Sequence, residues 1–170
     1  VDVSENAYYY DAVKWAVENG VTEGISASAF GPDRACTRAQ MVTFLWRAAG
    51  CPVPSSTSLP FTDVSAVDYY YEAVAWAVEM GITAGTSADR FSPDATVTRG
   101  QTVTFLYRYA GEPEAPEAEF TDVPANAYYA DAVAWASTAG VTEGVSATAF
   151  APDRACTRAQ IVTFLYRGMA

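Results

Sequence analysis

The apolar positions of this chain follow a helical period. Tyr9, Ala12, Val13, Ala16 and Val17 fall at i, i+3, i+4, i+7 and i+8, which predicts one apolar face of a helix running from about Ala7 to Asn19. Gly20 stands where a left-handed C-cap is expected. A second segment, Thr37 to about Ala49, is apolar nearly all round, with Met41, Val42, Phe44, Leu45, Trp46, Ala48 and Ala49, and Gly50 follows it. A helix without a polar face belongs at the centre of a fold. Thr37-x-x-Gln40 opens that helix as a capping box, each side chain serving a backbone N–H of the other residue.

The same text is written three times. Cys36-Thr37-Arg38-Ala39-Gln40 recurs as Val97-Thr98-Arg99-Gly100-Gln101 and Cys156-Thr157-Arg158-Ala159-Gln160. Trp15, Trp76 and Trp135 are spaced 61 (76−15) and 59 (135−76) residues apart. Asp2, Asp63 and Asp122, and Pro32, Pro93 and Pro152, keep the same intervals. A fixed period means supersecondary units that complete one core together. Repeat 1 spans 1–50, repeat 2 61–111 and repeat 3 120–170. The connectors 51–60 and 112–119 are rich in Pro with Ser or Glu and read as extended, solvated spacers. The expected fold is all-α: three helix-loop-helix repeats around a pseudo-threefold axis, the second helices forming a central three-helix bundle.

Composition narrows the function classes. Half of the 170 residues are apolar, so the chain can build a core. Twenty acidic against ten basic side chains leave a net charge of −10, which opposes a nucleic-acid partner and docking on anionic lipid. No apolar run approaches the ~20 residues of a membrane span, so membrane insertion is not expected. No signal peptide is read. Val1-Asp2-Val3 matches Thr62-Asp63-Val64, so the chain starts inside its own motif and reads as a module cut from a longer protein. Cys36 and Cys156 share a slot with Val97 and are expected to be buried, reduced thiols rather than a disulfide or metal framework. There is no histidine, which removes the commonest metal ligand and general base. No metal, cofactor or catalytic residue is expected.

Two arginines recur per repeat. Arg47, Arg108 and Arg167 lie near the end of the second helix, where a cation complements the dipole. Arg38, Arg99 and Arg158 sit at the first helical position, where a cation opposes it by roughly 0.3–1 kcal/mol. N–H groups at a helix start attract anions, and a guanidinium fork suits a carboxylate. These three arginines therefore read as pockets for an anionic group. The competing reading pairs each with an acid such as Asp33, or has it cap a neighbouring repeat. On the pocket reading, substitution by alanine weakens binding ten- to a hundredfold and leaves the fold intact. The aromatic pairs Tyr8-Tyr9, Tyr69-Tyr70 and Tyr128-Tyr129 read as core packing by default. Trp15 falls off the apolar stripe, which makes it, with Trp76 and Trp135, the better groove wall. The sixteen residues from Val21 to Cys36 carry Gly24, Phe30, Pro32 and Asp33, and a loop of that length is functional or disordered.

Asp-Val near the start of each repeat, Ala-Val-x-Trp-Ala, Gly-Val/Ile-Thr-x-Gly, Phe-x-Pro-Asp and Thr-Arg-x-Gln-x-x-x-Phe-Leu together resemble the S-layer homology (SLH) domain, over nearly the whole chain. The resemblance implies a triplet folded as a pseudo-threefold spindle, a monomer with an internal pseudo-trimer. It implies an extracellular anchor, held non-covalently on the bacterial cell wall by a peptidoglycan-linked secondary cell wall polysaccharide carrying ketal-linked pyruvate. Arg38, Arg99 and Arg158 would contact the pyruvyl carboxylate in grooves between repeats. Trp15, Trp76, Trp135, Gly24, Gly85 and Gly144 would contribute to glycan binding, and Thr37, Gln40, Thr98, Gln101, Thr157 and Gln160 would cap helices. The family's Glu in the Thr-Arg motif is Gln here. A second function class, a module for protein–protein assembly in a surface lattice, would use the arginines to tie repeats together. An enzyme is not expected, since no paired-carboxylate motif, phosphate loop or nucleophile constellation recurs.

Overall fold

The computed structural model describes residues 2–170, so the expected start of repeat 1 at Val1 lies outside the described residues. Six helices follow in chain order: α1 (Tyr10–Glu18), α2 (Arg38–Ala48), α3 (Tyr71–Glu79), α4 (Arg99–Tyr109), α5 (Ala130–Thr138) and α6 (Arg158–Met169). Among the described residues there are isolated β-bridges but no β-strand. α2, α4 and α6 pack on one another. Met41, Leu45, Leu106, Ile161 and Leu165 are all but sealed from solvent along their facing sides, as their all-round apolar sequences require. Truncating one such leucine to alanine costs about 2–5 kcal/mol.

The outer helices take a register that the sequence alone does not reveal. α3 lies on α2, α5 on α4 and α1 on α6. Each first helix thus packs on the central helix of the preceding repeat, and repeat 1 closes the circle onto repeat 3. The Ala12/Val13/Ala16 stripe is buried, but Val17 is 52% exposed. α1 also starts three residues later than its pattern suggests. Ala7 N–H bonds Ser4 carbonyl and Tyr10 N–H bonds Ala7 carbonyl, both at 3.0 Å, so residues 4–9 form tight turns before the helix.

At the axis the segments before α2, α4 and α6 meet. Cys36 N–H donates to Cys156 carbonyl (3.1 Å), Cys156 N–H to Val97 carbonyl (2.9 Å) and Val97 N–H to Cys36 carbonyl (2.9 Å). This closed ring of three backbone bonds buries the three side chains and explains why the slot accepts Cys or Val. Both thiols are free, and burial pushes Cys36 up to about 11 and Cys156 up to about 12. A thiol reagent at pH 8 is therefore expected to label the exposed Cys51 at once and the other two only on unfolding, as the thiolate is the reactive form. Mass spectrometry with and without denaturant checks this.

The connectors are not free spacers throughout. Pro54 is buried, Trp46 Nε1 donates to Pro52 carbonyl at 2.9 Å, and Ser55 N–H donates to the Glu79 carboxylate at 2.8 Å. Tyr71 hydroxyl bonds Thr57 carbonyl. The first connector is strapped along α3 because its own polar groups find partners there.

Candidate functional site: three grooves between the repeats

The long interhelical segments are folded, and a carboxylate organises each. Asp2 accepts from Phe30 N–H (2.8 Å) and Gly31 N–H (2.7 Å). Asp63 does the same for Phe91 and Ser92, and Asp122 for Phe150 and Ala151. The bonds from Phe30 and then Gly31 hold Asp2 below the usual carboxylate pKa. For Asp63 and Asp122, partial burial pushes upward but the two backbone donors outweigh it. A depressed folded-state pKa adds stability above the unfolded value of about 3.9, and that stability is lost as pH falls through the folded-state value. The melting temperature is therefore expected to fall on acidification below about pH 4. Asp63→Asn should shallow that fall, measured as melting temperature against pH.

The loop so held reaches across to the neighbouring repeat. Arg38 N–H and Ala39 N–H, at the start of α2, donate to the Ala95 (2.9 Å) and Pro93 (3.0 Å) carbonyls of repeat 2. α4 is met in the same way by Arg154 and Pro152 of repeat 3, and α6 by Arg34 and Pro32 of repeat 1. The capping boxes supply the next bonds: Gln40 N–H to Thr37 Oγ1 at 3.1 Å and Thr37 N–H to Gln40 Oε1 at 3.0 Å, repeated by Thr98/Gln101 and Thr157/Gln160. The helix starts are thus already satisfied by carbonyl, hydroxyl and amide oxygens. The expectation of open N–H groups for an anion is corrected.

The arginines at these helix starts are buried along most of their length. Arg38, Arg99 and Arg158 are only 3–5% exposed. Arg38 Nε donates to Phe91 carbonyl (2.9 Å), Arg99 Nε to Phe150 carbonyl (2.8 Å) and Arg158 Nε to Phe30 carbonyl (2.8 Å). Each guanidinium lies over two phenylalanines of the following repeat. Arg38 is 4.9 Å from the Phe91 ring and 5.4 Å from Phe105. Arg99 meets Phe150 and Phe164, and Arg158 meets Phe30 and Phe44. Burial is the main influence lowering all three guanidinium pKa values, yet an arginine keeps its charge at neutral pH. Among the described residues none of the three forms an ion pair with a carboxylate, Asp33 included. Among the described residues no buried side-chain nitrogen lacks a bond, so Nη atoms without an internal partner open onto the surface beside them.

That surface is a groove, and among the described residues each of the three arginines lines one. One, of about 360 Å³, is lined by Arg38 of repeat 1, Thr83, Gly85, Gln101, Thr104, Phe105 and Arg108 of repeat 2, and Tyr128 of repeat 3. A second, of about 350 Å³, takes Arg99, the equivalent residues Thr142, Gly144, Gln160, Thr163, Phe164 and Arg167, and Tyr8. A third, of about 250 Å³, takes Arg158, Thr22, Gly24, Gln40, Thr43, Phe44, Arg47 and Tyr69. Each groove draws on all three repeats and brings two arginines together.

Gly24, Gly85 and Gly144 line the grooves as expected of the loop, with φ of +87°, +88° and +79°. Their N–H groups donate to Thr22, Thr83 and Thr142 Oγ1. The tryptophans are placed elsewhere, and the expectation of a groove wall at Trp15 is corrected. Trp15 packs on Tyr166 and Trp135 on Tyr107, at the α1–α6 and α5–α4 interfaces, and Trp76 packs on Tyr109 of α4 in its own repeat. The walls are Tyr8, Tyr69 and Tyr128 instead, each 63% exposed and set edge-on against its neighbouring tyrosine at 5.0 Å. They precede the helix rather than ride on it, which is why a helical reading assigns them to the core. Arg47, Arg108 and Arg167, expected only to complement a dipole, are groove residues too. Arg108 Nη1 donates to Ile82 carbonyl at 3.0 Å. Among the described residues no cluster of His, Cys, Asp or Glu side chains could hold a metal ion, and no helix is long and apolar enough to cross a membrane.

The S-layer homology domain model matches residues 1–42, 60–103 and 119–162, one match for each repeat and most of the chain. The chain belongs to the S-layer homology domain family. It is 35% identical over 119 residues to a "Surface-layer 125 kDa protein" of Lysinibacillus sphaericus, covering 69% of this chain and 10% of that protein. It is 31% identical over 133 residues to a "Cell surface protein" of Thermoanaerobacter kivui, covering 75% and 18%. An "Endoglucanase" of Bacillus sp. (strain KSM-635) is 32% identical over 113 residues, covering 66% and 12%. The chain thus spans less than a fifth of the length of these relatives. Family and relatives place this SLH triplet at the cell surface.

Proposed function

We propose that this SLH triplet anchors a surface protein to the bacterial cell wall by holding an anionic, pyruvylated secondary cell wall polysaccharide in its three grooves. The observation that carries this reading is the pairing of two guanidiniums from adjacent repeats in every groove, beside an exposed tyrosine and without an ion-paired carboxylate. A charge-assisted, forked contact to a carboxylate is what such a pair offers, and a tyrosine face suits the C–H groups of a sugar ring. The module binds and does not catalyse, and the endoglucanase activity named for one relative belongs to that protein. Binding to purified cell-wall sacculi is expected to be lost after chemical depyruvylation and weakened by salt. Unchanged binding to depyruvylated sacculi would overturn the reading. A protein–protein assembly role gains if the module self-associates on lattice protein but ignores sacculi.

A further inference from the structure

The three grooves share a plan but differ in charge at one position. The loop reads Thr22-Glu23-Gly24 in repeat 1, Thr83-Ala84-Gly85 in repeat 2 and Thr142-Glu143-Gly144 in repeat 3. The backbone is the same in all three, with matching glycine φ angles and Gly N–H to Thr hydroxyl bonds of 3.0–3.2 Å. The middle residue is thus presented alike. Glu23 lines the Arg158 groove and Glu143 the Arg99 groove. The Arg38 groove has no carboxylate in its lining.

Two further observations set the Arg158 groove apart from the other two. Arg158 spends Nη2 on Thr22 Oγ1 at 3.1 Å, whereas the bond recorded for Arg38 and for Arg99 inside the protein is through Nε. The Arg158 groove is also the smallest, about 250 Å³ against 350 and 360 Å³. Arg34 and Arg154 act electrostatically on Arg158 and Arg99, and Ala95 takes their place in repeat 2. Neither lines a groove, so from its greater distance and across solvent each offsets only part of the repulsion from a carboxylate in the lining.

We propose that the grooves are unequal binding sites, that the Arg38 groove is the tight one, and that Glu23 and Glu143 set the difference as specificity-determining residues. This rests on the anionic-glycan reading above. A carboxylate in the lining repels a bound carboxylate while leaving neutral sugar contacts alone, and in a half-solvated groove that is a three- to tenfold effect, roughly. The order of affinity for an acidic sugar is Arg38 groove, then Arg99 groove, then Arg158 groove.

The test is a titration of the whole chain with a methyl glycoside carrying a pyruvyl ketal, followed by the amide NMR signals of Gly24, Gly85 and Gly144, one per groove. The neutral methyl ester of the same glycoside is the control. Gly85 is expected to respond at the lowest concentration. Ala84→Glu should raise the Gly85 midpoint about three- to tenfold, and Glu23→Ala and Glu143→Ala should lower those of Gly24 and Gly144 by a similar factor. All three positions are exposed, so these variants keep the fold, which the remaining amide signals verify. Coincident midpoints in the unaltered chain, or midpoints that ignore these exchanges, overturn the proposal and leave the anionic-glycan reading standing. If no groove responds to the ketal, or the neutral ester binds equally well, the anionic-glycan reading itself falls and takes the proposal with it.

Discussion

Replacing Arg99 by alanine is expected to lower the melting temperature by about 5–15 °C and to abolish affinity in its groove. The side chain is 3% exposed, so its removal opens a cavity between two phenylalanines and strands the Phe150 carbonyl that accepts its Nε at 2.8 Å. A charged hydrogen bond contributes about 1.5–3 kcal/mol, and each stacked ring about 0.5–2 kcal/mol. Releasing the guanidinium from a desolvated site offsets part of this, leaving a loss of about 2–4 kcal/mol. For a chain of this size each kcal/mol shifts the midpoint by about 2–4 °C. Arg99→Lys keeps the charge but loses the Nε donor and the flat face, so it should recover little stability. Calorimetric melting checks the claim. A midpoint within two degrees of the parent for Arg99→Ala would mean that the arginine–phenylalanine interlock carries no stability. The reading from sequence, in which alanine leaves the fold intact, is reversed by burial of the side chain.

Gly85→Ala is expected to cost as much by a different route. At φ +88° an L side chain is strained, and that alone costs about 1–3 kcal/mol. A Cβ there would also lie 2.5 Å from the Phe61 ring and closer still to the Arg90 carbonyl. Phe61 is buried against Phe91 at 5.8 Å, and Arg90 carbonyl accepts the Thr86 N–H that closes the loop. Neither can step aside without disturbing the loop that carries Thr83, Gly85 and Thr86 into the Arg38 groove. The expected result is a loss of about 3 kcal/mol or more, with the largest amide shifts in residues 83–91. Gly81→Ala, at a helix end with nothing within 4 Å of its Cβ, separates backbone strain from collision. If the two variants melt alike, the contacts with Phe61 and Arg90 carry no cost.

What could be read from the chain was local. The capping boxes need only Thr37 and Gln40, three residues apart, and the central position of α2, α4 and α6 needs only their unbroken apolar surface. What could not be read was supplied by partners far along the chain. Arg38 looks misplaced at a helix start until Phe91, 53 residues on, presents its carbonyl and ring. The open helix N-termini vanish once Pro93 and Ala95 arrive from the next repeat. Tyr8 was obscured for a smaller reason. The stripe beginning at Tyr9 suggests a helix already under way, whereas turns hold residues 4–9 and swing Tyr8 out over a groove built on Arg99.

Every groove takes its loop and helix face from one repeat, an arginine from the preceding one and its tyrosine wall from the third, and the last groove side chain in the chain is Arg167. No fragment of one or two repeats contains a finished site. On the proposed function, two-thirds of the module would give no partial grip, because the incomplete ring lacks a wall or a guanidinium in each groove. The Arg38 groove has its full lining once Tyr128 is in place, whereas the Arg99 and Arg158 grooves wait for the side chains of α6. The three grooves are therefore completed in order along the chain, two of them only when α6 docks against α1.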